Sequence, residues 1–79
     1  MNFENQHINK ILLDYGFVRL KSIFIYRKML VVYYSGQKYA IILNHKERKI
    51  FGEKNFLKLV DKYVTKTQEI LMQQKNENI

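Results

Sequence analysis

Residues 17–51 read FVRLKSIFIYRKMLVVYYSGQKYAIILNHKERKIF, and the period of this stretch decides the fold class. Its composition is dominated by Val, Ile, Phe and Tyr, the β-branched and aromatic residues that suit a pleated surface. From Phe17 to Arg27 the alternation is imperfect: Val18, Leu20, Phe24 and Tyr26 fall on one face, and Arg19, Lys21, Ile23 and Ile25 on the other. The apolar character of the second face changes near Ser22, which marks either a bulge or the point where a single strand leaves one environment for another. A turn at Arg27-Lys28 leads into a strand from Met29 to Ser35. Gly36-Gln37 then places glycine at the first position of a two-residue type II′ hairpin loop. Lys38 to Asn44 is the returning strand. Asn44-His45-Lys46-Glu47 reads as a polar turn, and Ile50-Phe51 as a short fourth strand at most.

On both sides of this block the period is helical. Phe3, Ile8, Ile11, Leu12 and Tyr15 recur at helical spacing after Asn2, an acceptable N-cap, and Gly16 supplies a left-handed stop. A first helix is therefore expected over residues 3 to 15. After Gly52, residues Phe56, Leu59, Val60, Tyr63, Thr67, Ile70 and Leu71 line one side of a long second helix, with a polar tail over residues 73–79 expected to fray. The reading is one α+β domain spanning residues 1–79: helix, three- to four-stranded antiparallel meander, helix. Both helices are expected on one sheet face, because that buries both apolar stripes against a single layer.

Seventy-nine residues suffice for one core, and a content of 47% hydrophobic and 14% aromatic residues is far above that of a disordered chain. With no cysteine, neither disulfides nor thiolate-bound zinc can staple the fold, which favours a cytoplasmic setting. The N-terminus lacks the pattern of a signal peptide, and the longest apolar run, Met29 to Tyr34, is about a third of a bilayer span. No membrane partner is expected.

A net charge of +7 points to an anionic partner, either nucleic acid or an acidic protein surface. Lys54, Lys58, Lys62 and Lys66 recur every four residues along the polar side of the second helix. Like charges at this spacing cost a helix about 0.2–0.5 kcal/mol per pair, a cost that suits a phosphate-binding ridge. Arg19 and Lys21 add charge in the first strand, and Arg27, Lys28, Lys46, Arg48 and Lys49 add it at turns. Only three of the 14 basic residues are arginine, so contacts are expected to be electrostatic and salt-sensitive rather than bidentate readout of bases. Tyr26, Tyr33 and Tyr34 are the expected interface residues. Tyr33 and Tyr34 are adjacent and point to opposite faces, so at least one leaves the helix side and can stack on bases or meet a protein.

In element order the chain resembles double-stranded-RNA-binding domains, with Gly52-Glu53-Lys54-Asn55-Phe56-Leu57-Lys58 similar to the basic start of their second helix. It also resembles HicA-type mRNA interferase toxins, through a helix ending in Gly16-Phe17 and a strand carrying Arg19 and Lys21. Those resemblances imply RNA as a partner. The first family's Gly-Pro-x-His loop and Lys-Lys-x-Ala-Lys motif are missing from a chain without proline. The second family's histidine after a Gly-Ser pair has no counterpart at Lys21-Ser22-Ile23.

Catalytic constellations are weak. Glu47-Arg48-Lys49 matches half of a metal-dependent nuclease site, but the preceding strand offers no aspartate to complete it. His7 and His45 are far apart, and the carboxylates are scattered singly, so no metal, cofactor or acid–base pair is expected. The sequence thus predicts a small non-enzymatic binding module for an anionic partner, foremost nucleic acid. The alternative is a protein-interaction or inhibitor module of prokaryotic, phage or mobile-element origin. It would dock through the open sheet face or self-associate through Phe56, Tyr63 and Ile70, which recur every seven residues.

Overall fold

The computed structural model describes residues 5–77, with side chains as far as Gln74. The elements run α1 (Gln6–Tyr15), β1 (Val18–Leu20), β2 (Ile23–Tyr26), β3 (Leu30–Ser35), β4 (Lys38–Leu43), β5 (Lys46–Phe51) and α2 (Glu53–Glu77). The fold is α+β, as the periods predict, but the sheet has five strands rather than three or four. They form an antiparallel meander in the order β1-β2-β3-β4-β5. The two extra strands separate it from the α-β-β-β-α order on which both family resemblances rest.

One extra strand comes from a turn with no glycine or asparagine to mark it, and the other from the polar turn after β4, which takes two residues rather than four. Lys21 takes a φ of 56°, so Phe17–Arg27 folds back on itself as a hairpin with Leu20 opposite Ile23, rather than running on as one strand that bulges or changes environment near Ser22. Asn44 and His45 both have positive φ, 55° and 65°, and form a two-residue turn that puts Leu43 opposite Lys46. Lys46 and Glu47 are therefore strand residues. Left-handed backbone at lysine or arginine is uncommon. The expected Gly36 turn is present, with Gly36 at φ 61° and Ser35 opposite Lys38.

The expected cap Asn2 and first helical residue Phe3 lie outside the described residues. Within them Asn5 caps α1, its Oδ1 accepting the Ile8 N–H at 3.1 Å. Gly16 ends the helix at φ 102°, and a Cβ there would also meet the Tyr26 ring at 3.4 Å. Gly52 precedes α2, its carbonyl accepting the Phe56 N–H, and the 25 residues of the helix extend about 37 Å. The helix continues to Glu77, through much of the segment expected to fray.

Both helices cover one sheet face. Ile8 and Leu12 of α1 and Phe56, Val60 and Thr67 of α2 are buried against Phe24, Leu30, Val32, Tyr39 and Ile41. Phe56 stacks on Tyr39 with ring centroids 4.4 Å apart, so the seven-residue repeat expected to pair two copies is partly occupied within the chain. Burial is the leading reason the Tyr39 phenol is held above its ordinary pKa.

Two tyrosines assigned to an interface turn out to be structural. Tyr26 is 4% exposed, packs on Phe17, and accepts a hydrogen bond from Gln68 Nε2 at 2.9 Å. The Tyr34 hydroxyl accepts the Asn5 N–H and donates to Asn9 Oδ1, each at 2.7 Å, locking the start of α1 onto β3. Tyr34→Phe leaves both α1 groups without that partner. It is expected to cost about 1–3 kcal/mol, read as a lower urea midpoint at unchanged slope. An unshifted midpoint would show that the hydroxyl contributes nothing.

Candidate nucleic-acid interface

The register of β5 sorts its charges by face. Leu43 opposes Lys46, Ile41 opposes Arg48 and Tyr39 opposes Ile50, so Lys46 and Arg48 lie on the face that carries the helices. Glu47, Lys49 and Phe51 alternate onto the open face. β5 is an edge strand, and α2 runs beside it. Two shallow hollows, about 420 and 540 Å³, follow the seam between them and share Arg48. The first is lined by Lys46, Arg48, Tyr63 and Lys66, and the second by Arg48, Lys49, Asn55 and Lys58. Lys62 is exposed one turn from both Lys58 and Lys66.

Glu47 is the one carboxylate among the residues lining these hollows. It accepts the Tyr33 hydroxyl at 2.6 Å, and that bond is the largest cause holding the Tyr33 phenol above its ordinary pKa. Tyr33 is accordingly protonated at neutral pH, and Glu47 is turned toward the open face. The same bond engages the carboxylate of the sequence's half nuclease motif. Among the described residues no group of three or more metal-ligating side chains occurs.

The other expected cations are placed elsewhere. Lys54 lies farther round α2, in a hollow lined by Glu53, Asp61 and Lys58, so Lys58 borders both this hollow and the seam. Asp61 there accepts the Tyr15 hydroxyl at 2.9 Å; burial, then this bond, raises the Tyr15 pKa. Arg19 and Lys21 belong to β1 and its turn, at the far edge of the sheet. Four strand spacings put them about 19 Å from β5. Arg19 donates from Nε to the Lys21 carbonyl and lies 5.5 Å over the Phe24 ring. The six expected cations thus divide: Lys58 and Lys66 line the β5 seam, Lys62 is exposed on the helix between them, and Lys54, Arg19 and Lys21 do not line it.

Lys46 and Arg48 complete the seam, although the sequence reads them as turn residues. Their signal was the two-residue alternation of Lys46, Arg48 and Ile50 against Glu47, Lys49 and Phe51. A strand this charged lacks the composition by which strands are recognised, yet lysine is common on edges because it discourages edge-to-edge pairing. No family model, curated protein or solved structure matches the chain.

Proposed function

We propose that this chain is a small non-enzymatic module that binds nucleic acid electrostatically, through the seam between β5 and α2. The observation that carries the reading is the convergence of Lys46, Arg48 and Lys49 from one element with Lys58 and Lys66 from another, along two hollows whose lining holds a single, engaged carboxylate; Lys62, exposed between the two helix lysines, adds to the same field. Cations from two elements flanking a groove can contact successive phosphates, which a row on one exposed helix cannot do as closely. With lysine predominating, the contacts position the polyanion without reading its sequence. A cytoplasmic location belongs to the same proposal and rests on the absence of cysteine. Among the described residues no helix is long and apolar enough to cross a membrane.

The test is fluorescence anisotropy with a labelled oligonucleotide at increasing salt. Four to five phosphate contacts give a log–log slope of about −4, so affinity is expected to fall by roughly two decades between about 50 and 200 mM salt. No binding at low salt overturns the proposal. A protein-interaction module is the second reading, favoured by the exposed apolar residues Val18, Leu20 and Phe51 on the open sheet face. It becomes the preferred one if the oligonucleotide fails to bind.

A further inference from the structure

We propose that the open face of the sheet carries a stacking site for the bases of single-stranded nucleic acid, built from Tyr33, Ala40 and Phe51 and rimmed by Lys38 and Lys49. The inference rests on the nucleic-acid reading above and adds which form of nucleic acid the module prefers. On this face Tyr33, Ala40 and Lys49 lie in one row across β3, β4 and β5, and Ser35, Lys38 and Phe51 form the next. Together they line a cleft of about 370 Å³.

Three features make the cleft suited to bases. Ala40 is 3% exposed and ends at a methyl group, so it forms a low floor between two aromatic residues on the flanking strands. Those strands are about 10 Å apart, which gives each ring its own face to offer. Tyr33 is held by its hydrogen bond to Glu47, so stacking on it costs little side-chain entropy. Phe51 is 70% exposed, a large apolar ring that folding leaves in water beside two lysines. Aromatic faces flanked by cations are the general equipment of single-strand binders, because every base has a π-face and every nucleotide a phosphate.

The cleft adjoins the basic seam. Lys49, Ile50 and Phe51 line both the cleft and the second hollow of the seam, so the two sites meet along the edge strand β5. A single strand can lay its phosphates along the seam and turn bases over the edge onto Tyr33 and Phe51. In a duplex the base faces are stacked on one another and cannot reach the rings.

The test compares a labelled oligothymidylate with a duplex of equal length, using the full chain and the Phe51→Ala and Tyr33→Leu variants, with thermal melts showing that each variant folds. The parent chain is expected to prefer the single strand. Each variant is expected to bind it about tenfold more weakly, with the duplex affinity and the salt slope unchanged. Equal affinity of the parent for both forms, unaltered by either variant, overturns the stacking site and leaves the seam standing. Equal loss on both forms overturns it as well. A concentration-dependent dimer that Phe51→Ala dissolves without altering oligonucleotide affinity assigns the face to a second copy instead. No binding of either nucleic acid by the parent overturns the functional reading together with this one.

Discussion

Phe56→Ala is expected to remove a large part of the stability of this protein. The ring is fully buried, stacks on Tyr39 at an interplanar angle of 16°, and sits at the start of α2, where that helix first meets the sheet. Removing a buried phenylalanine costs about 3–5 kcal/mol, through lost transfer energy and the cavity left behind. A domain of this length has roughly 4–12 kcal/mol in total. In urea the variant should therefore show a transition displaced toward zero denaturant by the equivalent of about 3–5 kcal/mol, and none if the parent lies at the low end of the range for its length. Phe56→Leu fills more of the cavity and should keep a cooperative transition at an intermediate midpoint. If Phe56→Ala moves the midpoint by less than the equivalent of about 1 kcal/mol, then α2 is not anchored by this contact.

The second large effect is on binding. Changing Lys58, Lys62 and Lys66 together to glutamate reverses the helix wall of the seam and lowers the net charge from +7 to +1. Three phosphate contacts become repulsive, so the salt slope should fall by about 3 and oligonucleotide affinity at low salt by two decades or more. All three side chains are exposed, and substitution there should leave the melting temperature nearly unchanged. The decisive comparison is a charge-matched variant at the other end of the sheet, with Lys21, Arg27 and Lys28 changed to glutamate. If the seam is the site, that variant keeps most of the affinity. Equal losses in the two variants would mean that net charge alone governs binding, and the seam would have no special role.

These expectations draw on features that were unevenly visible in the sequence. The helical stripe Phe56-Val60-Thr67 and the stops at Gly16 and Gly52 are local patterns, and α1 and α2 follow them closely. The hairpin at Lys21-Ser22 was hidden because no glycine or asparagine marks it. That turn sets more than the strand count. In one continuous strand Val18 and Leu20 share a face with Phe24 and Tyr26. With Leu20 paired to Ile23 and Val18 to Ile25, the faces exchange, and Arg19 comes to lie over Phe24 on the helix side. The same parity decides the tyrosines. Tyr26 and Tyr34 face the helices and hold them, while Tyr33 alone of the three faces outward.

What the sequence by itself determined was the kind of each segment and the sign of the surface: helix, meander, helix, with a large excess of lysine. Those properties follow from spacing along the chain and from composition, and they need no knowledge of distant neighbours. Tertiary structure alone decided which cations share a groove. Lys46 and Arg48 join Lys58 and Lys66 because β5 pairs as the edge strand beside α2, and Arg19 and Lys21 are excluded because β1 pairs at the other edge. Strand order and pairing register are long-range choices, made by the whole core at once, and a shift of one residue in the register of β5 would have moved Lys46 and Arg48 to the open face.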